Sequence, residues 1–181
     1  MAAKKGIAVI CQKPMAAGLK AAQQMVNTCK DHQVPFFIHE NWRWQAPVRK
    51  LKELLDEGII GDVFKAKGTF CSAFPVFDNQ PFLAELDEFI LTDIGSHILD
   101  VCRFLFGEVH SLYCQTASVN PKIKGEDAAS VMMKMKNGIA CYAEMSYASI
   151  LEHESFPQTY ILVEGAKGSI HLMSDYQIHV T

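Results

Sequence analysis

The 181-residue chain carries 17 Lys and Arg against 20 Asp and Glu, a formal charge of −3, and 49% of its residues are hydrophobic. This is the composition of a folded globular protein, with room for one full core or for one domain and part of a second. It offers no electrostatic footprint for nucleic acid or an anionic membrane surface, and no apolar run reaches the roughly 18–20 residues of a membrane span. Six cysteines stand singly at positions 11, 29, 71, 102, 114 and 141, with no CxxC pair. They read as free, buried thiols in a reducing compartment, so a cytoplasmic location is expected.

In chain order, residues 1–5 read as the end of a helix stopped by Gly6, and Ile7 to Cys11 as a buried strand. A helical pattern follows from Ala16 to about His32, with Leu19, Ala22, Met25, Val26 and Cys29 on one face. Pro35 then opens a second strand, Phe36 to His39. Strand, helix, strand is a βαβ unit with a parallel pair. Such a pair needs both faces covered, and an N-terminal portion is therefore expected to be missing. A helix from Pro47 to Asp56 carries Val48, Leu51, Leu54 and Leu55, and Gly58 and Gly61 end it. Val63 to Phe74 reads as a long strand, Phe77 to Glu88 as an irregular insertion, and Ile94 to Phe106 as a helix.

Strands are then expected near 109–118, 128–135, 139–148, 158–164, 169–173 and 176–180, separated by turns such as Lys136-Asn137-Gly138 and Gly165-Ala166-Lys167-Gly168. The predicted architecture is an α/β segment (about 1–40) followed by an α+β domain (about 41–181) built on a mostly antiparallel sheet. The chain is expected to stop short at its C-terminus as well.

Three stretches carry candidate chemistry. In Asp93-Ile94-Gly95-Ser96-His97-Ile98-Leu99-Asp100, the two acids and the histidine fall at i, i+4 and i+7 of a helix. Asp93 sits where an N-cap belongs, and Gly95 permits close approach of a chain or ligand. A carboxylate one turn from an imidazole can fix its tautomer and raise its basicity; a plain cap and a hydrogen-bonded histidine have the same spacing. Lys13, in Cys11-Gln12-Lys13-Pro14, follows the end of a parallel strand, where open α/β sheets bind ligands. A solvated loop lysine is the alternative. Pro14 pins the turn and could be cis. In Asn41-Trp42-Arg43-Trp44, tryptophans bracket an arginine, which suits a sugar-like ligand or a packing corner equally well. Glycine-rich dinucleotide loops, P-loops, GxSxG and HExxH are absent from the sequence, and no metal site is expected.

Taken together, Cys11-Gln12-Lys13-Pro14, Asn41-Trp42-Arg43-Trp44 and the Asp93–Asp100 segment resemble the Gfo/Idh/MocA oxidoreductases, as do the turns Glu57–Val63 and Val163–Ser169. The resemblance covers essentially the whole chain. It implies the last part of a Rossmann dinucleotide-binding domain (1–40) and a substrate-binding and oligomerisation domain (41–181). It implies NAD or NADP as cofactor and a sugar, polyol or related small molecule as substrate. Lys13, Asp93 and His97 take the catalytic positions, with Lys13 and Pro14 on the cofactor side. Asn41, Arg43 and Trp44 take substrate-side positions. Gln12 departs from the family's usual Glu, and the family's glycine-rich loop is not among these residues. The isolated chain is thus expected to be inactive. The alternative is a non-catalytic ligand-binding or dimerisation module, its open sheet face (Val131, Met133 and Met135) pairing with a second copy.

Overall fold

The computed structural model describes residues 1–181, which divide into two compact units, Met1–Asn41 and Trp42–Thr181. In the first, β1 (Val9–Gln12) and β2 (Phe36–His39) pair in parallel, with Val9 opposite Phe36 and Gln12 opposite His39, and α1 (Leu19–Asp31) connects them. Gly6, at φ +70°, ends the short 3-10 turn Ala3–Lys5, a conformation that glycine adopts without Cβ strain. The helix stripe is narrower than its pattern suggests. Cys29 is buried and Ala22 and Met25 half-buried, but Leu19 and Val26 are exposed, as are Ile10 and Phe37 on the strands.

The second unit is α+β. Its seven-stranded open sheet has the order β4-β5-β6-β3-β7-β8-β9, made of β3 (Val63–Cys71), β4 (Val109–Ala117), β5 (Ala128–Met135), β6 (Ala140–Ser146), β7 (Tyr160–Gly165), β8 (Gly168–Leu172) and β9 (Ile178–Val180). Every neighbouring pair is antiparallel except β3 with β6. Val48 and Leu51 of α2 (Ala46–Asp56) join the core on one face of the sheet. A later helix, Ser96–Phe106, adds Ile98, Val101, Cys102, Leu105 and Phe106 to the same core. The period-2 alternation of the strands supplies the other half: Ala66 and Phe70 from β3, Val131, Met133 and Met135 from β5, Cys141, Ala143 and Met145 from β6. Gly165 and Gly168 close the β7–β8 turn, and a Cβ on Gly165 would lie 2.3 Å from the Ile60 carbonyl oxygen.

This alternation corrects the expected docking face. Val131, Met133 and Met135 are buried under the helices. The opposite face carries Ser130, Met132 and Lys134 from β5, with Tyr113 and Tyr142 in register beside Met132. It also carries the ion pairs Lys65–Glu164 and Lys67–Glu144, at 2.6 and 2.8 Å.

Between β3 and β4 the chain is less irregular than expected. β3 ends at Cys71 instead of Phe74, and the insertion forms α3 (Val76–Asn79) and a 3-10 turn, Pro81–Glu85. Val76, Leu83 and Phe89 make a small second core there, with Phe74, Phe77, Leu86, Ile123 and Tyr147 packed on it. The following helix, α4 (Ser96–Phe106), is preceded by a π-helical turn, Leu91–Gly95. No helix is long and apolar enough to cross a membrane.

Candidate active site

Asp93 lies inside the π-helical turn, three residues past the N-cap Ile90, so it is not the N-cap its position suggested. The turn is anchored by the buried Ile90 and Ile94, and its amides run on into the helix, the Asp93 N–H donating to Phe89 O at 2.9 Å. Gly95 is approached closely by another stretch of the chain, one of the two uses its size permits: a Cβ there would meet Leu91 Cδ2 and, from β6, Met145 Sδ, both at 3.4 Å.

The Asp93 carboxylate accepts a hydrogen bond from the Tyr147 hydroxyl, which donates to Oδ2 at 3.4 Å. Tyr147 stands just past β6, its ring stacked on Phe89 (5.6 Å, 14°) and edge-on to Phe70 (5.6 Å, 78°). Burial pushes its phenol pKa well up, and the Asp93 charge and hydrogen bond push it further. The group therefore stays protonated and available as a donor.

His97, on the first turn of α4, is buried, and its imidazole stacks on the Trp42 indole at 4.5 Å and 8°. Trp42 also packs on Phe70 at 5.6 Å. The 3-10 turn Trp42–Trp44 runs along the helix face that holds His97, Asp100 and Phe104. Arg43 clasps Asp100 with two bonds, Nε donating to Oδ2 at 2.6 Å and Nη2 to Oδ1. Its guanidinium lies 5.4 Å from the Phe104 ring centre. Trp44 is 64% exposed and lies under the Arg49 guanidinium, at 5.3 Å. Arg43, expected on the substrate side with Trp44, is thus paired with Asp100, while Trp44 stays largely exposed and Trp42 reaches the histidine.

An aromatic wall extends from this point. Phe156 stacks on Phe74 (3.8 Å, 6°) and stands edge-on to Phe70 (6.1 Å, 77°). Its segment is pinned by Glu154, whose carboxylate accepts from the Ser72 hydroxyl at 2.7 Å and the Ala73 amide at 2.9 Å. Lys13, Pro14 and Asn41 belong to the first unit. Lys13 follows the C-terminal end of β1, its amide donating to Gln12 Oε1 at 3.1 Å, and the Lys13–Pro14 bond is cis. No three of His, Cys, Asp and Glu converge as metal ligands.

The structure therefore gathers Asp93 and His97 with Trp42, one of the two motif tryptophans, sets Arg43 beside them on Asp100, and adds Tyr147, which lies outside the three motifs. Tyr147 had a signal. It continues the inward alternation of Cys141, Ala143 and Met145 by two residues. A phenol donor on a carboxylate, beside an imidazole held by a flat ring, can take up and pass on one proton next to an apolar wall.

Comparison with known proteins gives a consistent picture. A D-apiose dehydrogenase from Rhizobium rhizogenes is 44% identical over 181 residues, all of this chain and 52% of that protein. A second, from Paraburkholderia graminis, is 43% identical over 99% of this chain and 48% of its own length. A crystal structure of an oxidoreductase from Agrobacterium radiobacter, in complex with NAD+, L-tartaric acid and magnesium, superposes with a TM-score of 0.97. It is 44% identical and covers 99% of this chain and 53% of that one. The chain spans about half the length of these relatives. Residues 48–171 match the GFO/IDH/MocA C-terminal domain, and the chain belongs to the Gfo/Idh/MocA family.

Proposed function

We propose that this chain carries the proton-handling part of an NAD(P)-dependent oxidoreductase acting on a hydroxyl of a sugar, polyol or related compound. The observation that carries this reading is the Tyr147–Asp93 hydrogen bond beside the His97–Trp42 stack. The two D-apiose dehydrogenases and the NAD+-bound oxidoreductase support it. The dinucleotide, when bound, supplies the hydride acceptor.

His97 accepts the hydroxyl proton as the carbon is oxidised, and Asp93 stabilises the charged imidazole that results. Trp42 fixes the plane of the ring, and Tyr147 holds the carboxylate. Arg43 fixes the turn that carries Trp42, through Asp100. Lys13 and Pro14 fit the cofactor side, because they follow the C-terminal end of a parallel strand. Asn41 is assigned to substrate. The aromatic wall suits the apolar faces of a compact polyhydroxylated ring. The outward row Tyr113, Met132 and Tyr142 is the self-association surface in this reading.

In the full-length protein, His97→Ala is expected to lower kcat by roughly 10²–10⁴-fold. A change confined to KM would overturn the assignment of His97 as the acid/base. No glycine-rich phosphate loop is among these residues, so fluorescence titration of the 181-residue chain with NADH should show no saturable micromolar binding.

A further inference from the structure

The π-helical turn that presents Asp93 has no side-chain cap of its own. A helix start leaves several amide N–H groups without partners, and here the grip comes from another part of the chain. The Glu126 carboxylate accepts from the Phe89 amide at 3.2 Å and the Leu91 amide at 3.0 Å. Its backbone carbonyl accepts from the Ile90 amide, also at 3.0 Å. Three consecutive amides thus end on one residue. Gly125 backs this contact so closely that a Cβ would lie 2.7 Å from Leu86 O and 2.8 Å from Phe89 N. The next residue, Asp127, is buried and held by the Val119 and Asn120 amides at 2.7 and 2.9 Å, and its carbonyl accepts from the Tyr147 amide at 2.9 Å. One tripeptide therefore fixes both the turn that carries Asp93 and the tyrosine that donates to it.

We propose that Gly125 and Glu126 are the positioning device of this site, holding the π-helical turn in the register that aims Asp93 at Tyr147 and starts α4 with His97 against Trp42. The proposal rests on the roles given above to Asp93 and His97. A π-turn holds one residue more than the α-helical turn it replaces and is the rarer geometry. Released from its clamp, the segment relaxes toward the α-helical register. One residue of slip rotates a helical side chain by about 100°, enough to take Asp93 away from Tyr147. Glu126 also places its negative charge at a helix start, where the helix dipole favours it.

The test compares Glu126→Gln and Glu126→Ala in the full-length enzyme. Glutamine keeps the shape and one acceptor, so kcat should fall about 5-fold with it and about 30-fold or more with alanine, from the loss of one bond or both. KM should stay within about twofold, since the clamp is not a substrate contact. A residue acting through Asp93 is non-additive with it, so Glu126→Gln should cost nothing further in an Asp93→Asn background. Independently of activity, the His97 ring protons of the 181-residue chain, shifted by the Trp42 ring current, should move in the NMR spectrum of either variant. Should the alanine variant fail to fold, the glutamine variant carries the test. Additivity with Asp93→Asn, a rise in KM in place of the fall in kcat, or an unmoved His97 resonance in a folded variant overturns the proposal. Full activity of His97→Ala would sink the proton-transfer reading instead, and the His97 resonance would still decide the positioning role.

Discussion

Replacing Tyr147 by Phe deletes one oxygen and leaves the ring on Phe89 and Phe70, so it isolates the bond to Asp93. Hydrogen bonds to charged groups contribute about 1.5–3 kcal/mol. At 3.4 Å this one is longer than the usual O–H···O range, so about 1 kcal/mol is the appropriate figure, close to fivefold in rate. The expected result is a kcat about fivefold lower, read from NAD(P)H absorbance at saturating sugar, with a thermal melt lower by no more than about 2–4 °C. The same substitution alters the alkaline limb of stability. Burial first, and the Asp93 charge and hydrogen bond second, raise the phenol pKa in the folded state. That contribution is intact below the ordinary phenol range and is lost as pH rises through the folded value. Wild type should therefore lose denaturant stability more steeply than Tyr147→Phe above about pH 10. A kcat within twofold of wild type in the folded variant would show that the Tyr147–Asp93 bond plays no part in turnover.

Three further outcomes follow from the same geometry. Asp100→Ala removes the Arg43–Asp100 pair. Because both side chains are partly exposed (32% and 21%), the cost should be about 1 kcal/mol, read as a Tm about 2–4 °C lower. Burial pushes the Glu154 carboxyl up, but the Ser72 hydroxyl and the Ala73, Phe156 and Ser155 amides hold it below its ordinary range. A depressed carboxyl contributes stability above its unfolded pKa of about 4.3 and loses it as pH falls through the folded value. Proteolysis within 148–157 should therefore rise between pH 5 and 3 in wild type and be high throughout in Glu154→Gln. Contact with Cys141 and burial raise the Cys102 thiol well above its ordinary value. Cys102, Cys141 and the buried Cys29 should resist iodoacetamide in the native chain and react in denaturant, which mass spectrometry checks.

Local patterning along the chain is enough to spell out the elements of this protein. Alternation of apolar residues sorted each strand into two faces, although not which of them the helices cover, glycines marked the turns, and the Asp93–Asp100 segment with Lys13 and Asn41–Trp44 marked the family. These signals are local, because period and turn chemistry depend on neighbours in the chain. What the tertiary structure alone decided was which of those groups meet. Trp42 and Trp44 are two residues apart in the same aromatic motif, yet one stacks on His97 and the other lies exposed under Arg49. Arg43 looks equally free to contact a ligand until Asp100 is placed beside it, 57 positions along the chain. The π-helical register of Leu91–Gly95 is set by Glu126, some 35 residues away, so no window of the helix sequence could reveal that Asp93 is not a cap. The identity of each side chain is a property of the sequence; its partner is a property of the packing that brings distant segments to hydrogen-bonding distance.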